Sequence, residues 1–216
     1  MHYVLGTRED NIWIAQREGR AKDSSDRTQP AVLRMMTLGG EGDHYENLRH
    51  MDLVPLTISY EYDPCDYLKA KQFQQKRDDA TFKKSKQDDL DNMRVGILGK
   101  KGRVHYRTAG SINQWLEEYK DLPAKEFFEA VAARIDSYIH AGYELYPNNY
   151  VAADLLEGGL RFAAHYTAKD VARFEKYLQS RLDLIDLPNK DEAYLRERML
   201  TMYANPLYNY LKAHEG

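Results

Sequence analysis

Cysteine is nearly absent: Cys65 stands alone in 216 residues. A single cysteine excludes an internal disulfide and any cysteine-built metal site, and it favours a reducing compartment, so the cytoplasm is the expected location. Long apolar runs are missing as well. No stretch approaches the roughly 20 consecutive apolar residues of a membrane span, and the opening Met-His-Tyr-Val-Leu-Gly-Thr-Arg-Glu-Asp has no charged-then-apolar signal pattern. Contact with a membrane is therefore expected only from the side, on its inner face. Nor is there a large excess of one charge. A net charge of -3 supplies no basic field to draw in nucleic acid, so a bound anion has to be held locally. Metal-ligand spacing is lacking too, since His44 and His50 are not three or four apart on a helix, and no metal or cofactor is expected. Internal repeats, low-complexity tracts and linkers are absent.

What is present suits a folded domain. The chain is 43% hydrophobic and 30% charged, within the range of globular proteins, and a chain of this length buries roughly 70% of its unfolded surface. Tyr3-Val4-Leu5 reads as the end of a helix begun earlier, followed by the strand-like Ile12-Trp13-Ile14-Ala15. Pro30 opens a helix through Met36 that stops at Gly39-Gly40, and Asp43 with Glu46 forms a capping box for a short helix. Leu53–Tyr60 reads as a buried strand with Pro55 near its start, where a missing donor costs little. From Tyr67 to about Val95 the pattern is helical and heavily charged, and Arg103–Arg107 alternates like a strand.

After Pro123 the pattern is helical. Phe127, Val131, Ile135 and Ile139 fall on one face, as do Val171, Phe174, Leu178, Leu182 and Ile185. Further helices are expected from about Asn149, Thr167 and Asp191, with Pro206 breaking or kinking the last. The expected architecture is α/β: strands near 12–16, 53–60 and 103–107 in one sheet over residues 1–111, and a helical extension over 112–216 packed on it.

The segment Ala15–Asp23 is the densest in unusual chemistry, with Arg17, Arg20 and Lys22 around Gly19 and Arg27 close behind. Glycine lets backbone amides turn toward a ligand, and guanidinium groups match phosphate oxygens two at a time, so such a loop can hold a phosphate monoester. The same residues also suit a solvated loop in which Glu18 and Asp23 neutralise the cations. A second basic stretch, Lys69 to Lys86 with Phe73 and Phe82 between, is interrupted by Asp78 and Asp79 and followed by Asp88, Asp89 and Asp91. It reads as a self-neutralising helical pair, with docking on anionic lipid as the other reading.

Glu18-Gly19-Arg20 after a strand, and the proline-containing Leu53–Ile58 some way on, resemble the third and fourth blocks of the glycerophosphate acyltransferases. Ser59-Tyr60-Glu61-Tyr62 with Asp66-Tyr67-Leu68, the later Gly102–Arg107, and the helix Ile135–Tyr143 running into Tyr146-Pro147-Asn148-Asn149-Tyr150 are similar to the subgroup that acylates glycerol 3-phosphate. The resemblance implies acyl transfer from a coenzyme A or acyl carrier protein thioester to glycerol 3-phosphate or 1-acylglycerol 3-phosphate. It places the substrate phosphate on Arg17, Glu18, Gly19, Arg20 and Lys22. It also implies a histidine and an aspartate five apart ahead of Glu18, where this chain has none, and the first strands of that fold are missing too; the chain alone is expected to bind without turnover. His165 and Asp170 have that spacing in the wrong order, and Thr167 with Asp170 is better explained as a helix cap. Cys65 has no neighbour to activate it, and His105 reads as a packed or half-exposed strand residue. The alternative from another class is a non-catalytic helical module that binds a protein partner.

Overall fold

A computed structural model describes residues 2–7, 10–17 and 21–215. Its helices are α1 (His2–Thr7), α2 (Pro30–Thr37), α3 (His44–His50), α4 (Asp66–Asp78), α5 (Lys86–Leu98), α6 (Ala124–Ala141), α7 (Pro147–Glu157), α8 (Ala168–Leu182) and α9 (Glu192–His214). Strands β1 (Leu56–Tyr60) and β2 (Val104–Thr108) pair antiparallel, from Leu56 opposite Thr108 to Tyr60 opposite Val104. Among the described residues the fold is thus mostly helical with one two-stranded sheet, and none of these helices is long and apolar enough to cross a membrane.

Local chemistry sets the helix starts. Pro30 sits in the first turn of α2, where its missing N–H would have no partner anyway. Capping boxes open α3 at Asp43, α5 at Ser85 and α8 at Thr167; Thr167 Oγ1 donates to Asp170 Oδ2 at 2.7 Å, so this pair is a cap. α9 runs on through Pro206, so of the expected break or kink the break does not occur.

The three-stranded sheet does not form. Residues 10–15 have no strand pairing, and Trp13 is 70% exposed with Ile12 and Ile14 also on the surface. Three consecutive apolar residues have the composition of a strand buried on both faces, but burial needs neighbouring strands, and the segment is followed instead by a bond from Gln29 N to Gln16 O at 2.9 Å. The strand pair, connected through α4 and α5, packs by its polar side. Thr57 Oγ1 donates to Ile139 O at 2.8 Å, and Glu144 N donates to Ser59 Oγ at 3.0 Å. Side chains alternate along a strand, so Tyr60, Val104 and Tyr106 of the opposite face are left exposed.

The hydrophobic interior cuts across the expected boundary at residue 111. Leu33 and Met36 of α2 and Leu48 of α3 pack with Phe127, Val131 and Ile135 of α6. Ala70 of α4 packs with the Phe174–Leu178–Leu182 stripe of α8, the Val151–Ala153 face of α7 and Leu195, Met199 and Leu207 of α9. Each half of the sequence therefore completes the core of the other. Each large side chain so buried stabilises the fold by about 1.5–3 kcal/mol.

One polar cluster is sealed inside the second core. Asp66, 0% exposed, accepts from Arg181 Nε at 2.7 Å, Tyr177 OH at 2.6 Å, Tyr203 OH at 2.8 Å and the Tyr67 amide at 2.6 Å. Arg181 also donates to Pro64 O at 2.6 Å and lies over the Tyr67 ring. Burial pushes the Asp66 carboxyl up, and Arg181 with the two hydroxyls pulls it back. Burial and the Asp66 charge hold the Tyr177 and Tyr203 hydroxyls far above their usual range, so both stay protonated and able to donate. Removing one partner of such a cluster strands the rest. Asp66→Ala should lower unfolding free energy in urea by about 3–5 kcal/mol, whereas Tyr203→Phe should cost about 1 kcal/mol; equal losses in the two variants would contradict this account.

Candidate functional site

The segment after the extended residues 10–15 is strapped across two helices. Thr28 donates to Asp136 Oδ1 of α6 through both its amide (2.8 Å) and its hydroxyl (2.6 Å), and His140 Nε2 meets Asp26 O at 3.0 Å. Asn205 Nδ2 of α9 donates to Asp23 O at 2.7 Å. Ser24 adopts a left-handed conformation, φ +58, at the bend. Residues 21–28 therefore form a fixed wall, with Ala21 buried against the protein.

Between this wall and β1 lies a cleft of about 460 Å³. Ser24 and Asp26 come from the strap, Asp63 and Lys69 from the start of α4, and Glu144 from the α6–α7 connection. Ile58 and Tyr60 of β1 and Met93 and Ile97 of α5 supply an apolar wall, and Met202, Tyr203 and Pro206 of α9 contribute to the lining as well. The Asp66 cluster positions the charged turn: Tyr203 OH, which donates to Asp66, accepts the Asp63 amide at 3.2 Å, and Arg181 clamps the Pro64 carbonyl.

The polar groups are arranged around Lys69. Its Nζ donates to Asp63 Oδ2 at 2.6 Å, with both side chains largely shielded from solvent. Asp26 faces Lys69 and Arg17, and the Arg17 Nη1 to Asp26 Oδ1 distance is 4.0 Å. Burial raises the Asp26 carboxyl, against Lys69, Arg17 and an amide hydrogen bond from Ala21. Its side chain is still 42% exposed, so water screens part of that cost. Arg17 Nε is buried and has no hydrogen-bond partner among the described residues. A buried donor without an acceptor costs about 1–3 kcal/mol, which makes it a place where a ligand oxygen would be stabilising.

Lys22 belongs to a neighbouring group. Its ammonium is pushed below its usual value by burial and then by Lys76 and Lys84, with Asp89 offsetting only part. Lys69 and Lys76 lie two turns apart on α4, a rise of roughly 10 Å. Arg17 and Lys22 thus mark two positions along one helix rather than two arms of a single cradle. Glu18, Gly19 and Arg20, on which the expected phosphate loop turns, lie outside the described residues.

The pattern had placed Lys69 in a solvated charged run, yet it sits in the cleft because Asp63 reaches across the α4 turn to it. Asp26 and Asp63 carried no motif; the available signal was Asp-Pro-x-Asp at a helix start, where Asp63 accepts the Cys65 amide at 2.8 Å. Cys65 is buried, with Sγ donating to Asn92 O at 3.4 Å. No histidine lines the cleft among the described residues.

Asp26 gives a test of these electrostatics. A carboxyl raised in the folded state weighs against folding once it is ionised, and that penalty disappears as pH falls through its folded pKa. Asp26→Asn should therefore raise stability at neutral pH by less than about 1 kcal/mol, and the gain should vanish in acid; a gain that persists in acid would point to packing instead. Comparison with known proteins returns no matching family model, no matching curated protein and no matching solved structure.

Proposed function

We propose that the chain binds a phosphate monoester of a small alcohol, glycerol 3-phosphate or its 1-acyl form, as the acceptor in acyl transfer from a thioester. The observation that carries this reading is the buried, unpartnered Arg17 Nε beside the Asp26–Lys69 cluster. Phosphate brings acceptor oxygens with negative charge, the partner that Arg17 Nε lacks and one that can compete with Asp63 for the Lys69 ammonium. The cleft volume, about 460 Å³, falls within the roughly 300–1,000 Å³ usual for small-ligand sites. The wall of Ile58, Tyr60, Met93 and Ile97 suits the alkyl part of an acylated acceptor.

In the reaction, the acceptor hydroxyl attacks the thioester carbonyl, the hydroxyl proton passes to a general base, and the thiol departs. The residues named here hold and orient the acceptor phosphate. Lys69 exchanges Asp63 for a phosphate oxygen, Arg17 takes a second oxygen, and Asp26 favours the anion when it is neutral. Proton removal is assigned to no residue of this cleft.

Isothermal titration with glycerol 3-phosphate checks the reading. Lys69→Met and Arg17→Met should each weaken binding about 10- to 100-fold, the value of one charge-assisted hydrogen bond, and Asp26→Asn should tighten it. A cationic ligand would reverse the last effect. Absence of heat at millimolar ligand, or weaker binding in Asp26→Asn, would contradict the proposal, and a response to a protein partner alone would favour the interaction module.

A further inference from the structure

Helix α5 is attached to the rest of the fold by little. None of its residues is buried. On its inner side Asn92 O accepts from Cys65 Sγ, and the chain leaving it presses on Pro64 so closely that a Cβ on Gly99 would come within 2.4 Å of the Pro64 Cβ; Met93 and Ile97, on the same side as Leu90, also contribute to the cleft lining. On its outer side large apolar groups face water: Leu90 is 59% exposed, Ile97 72% and Leu98 77%. Leu90 and Ile97 are two turns apart on one side of the helix, and Lys86 and Arg94, four residues either way from Leu90, share that side.

The charge around this face runs against that of the whole chain. Lys83, Lys84, Lys86, Arg94, Lys100 and Lys101 outnumber Asp88, Asp89 and Asp91 in a protein of net charge -3. The acids are engaged: Asp88 caps the helix through Ser85, Asp89 meets Lys84 at 3.4 Å, and Asp91 accepts from Gln87 at 3.2 Å. Lys86, Arg94 and Lys100 hold no ion pair among the described residues. Exposed leucine and isoleucine interleaved with unpaired cations suit a surface that offers acyl chains beneath negative charge. Nucleic acid would use the cations and leave the apolar groups unsatisfied.

We propose that the outer face of α5, centred on Leu90 and Ile97 and flanked by Lys86, Arg94 and Lys100, docks on an anionic lipid bilayer. Ile97 belongs to both the docking face and the cleft lining, so docking sets the cleft beside the lipid. The docking rests on α5 alone; its use in delivering an acylated acceptor rests on the phosphate-binding reading.

Flotation of the full chain with vesicles tests this. It should bind equimolar phosphatidylcholine–phosphatidylglycerol vesicles, release as salt rises, and ignore pure phosphatidylcholine. Lys86→Gln with Arg94→Gln should weaken binding by about fivefold per removed charge. Leu90→Asp with Leu98→Asp, at exposed sites outside the cleft, should abolish flotation while leaving thermal unfolding and the glycerol 3-phosphate titration unchanged. Failure to float, equal binding to neutral vesicles, retained flotation in the aspartate variant, or binding to duplex DNA in place of vesicles would overturn the proposal. Flotation without phosphate binding would sink the acceptor reading and leave docking standing; the reverse result separates them the other way.

Discussion

A carboxylate with no access to water organises the molecule. Asp66 is an acid in the first turn of α4, where a negative charge favours the positive end of a helix, but here it is also enclosed by Arg181, Tyr177 and Tyr203 from α8 and α9. Desolvating such a group is expensive, and only the convergence of these donors with a guanidinium offsets the cost. The consequence is geometric. Each donor has one position at which it satisfies Asp66, so α4 is fixed against the helical pair in rotation as well as distance. The turn before it inherits that precision through the Asp63 amide and the Pro64 carbonyl.

The cleft is built outward from this fixed turn. Asp63 and Lys69 stand on it, Tyr203 is shared between the buried cluster and the cleft wall, and the strap bearing Asp26 is held from the far side by α6 and α9. The resulting site contains cations and carboxylates in near balance. Under the phosphate-binding proposal, an incoming anion would displace Asp63 from Lys69 and gain the Arg17 donor. Helix α5, none of whose residues is buried, supplies part of the apolar wall.

Much of the scaffold was legible in the sequence because it rests on local rules. Pro30, Asp43 and Thr167 open helices where their chemistry says they should, the stripe from Phe127 to Ile139 is buried, and the two segments read as strands ending near Tyr60 and Arg107 do pair. The parts not legible depend on contacts between distant residues. Ile12-Trp13-Ile14 has the composition of an inner strand, and only neighbouring strands could make it one. Arg181 lies among the charged residues of α8 and Asp66 looks like an ordinary helix-start acid; their union spans more than half the chain. Lys69 read as solvated for the same reason, since its shelter comes from Asp63 across a turn. The strap was visible in its cations, but the carboxylate that faces Arg17 and Lys69, Asp26, had no motif to mark it.

The most direct measurement is a crystal structure with glycerol 3-phosphate bound. The account predicts the phosphate in the cleft, one oxygen on Lys69 Nζ in place of Asp63 and another on Arg17 Nε. Phosphate density confined to the Lys22–Lys76–Lys84 group, or a cleft unchanged at saturating ligand, would contradict it.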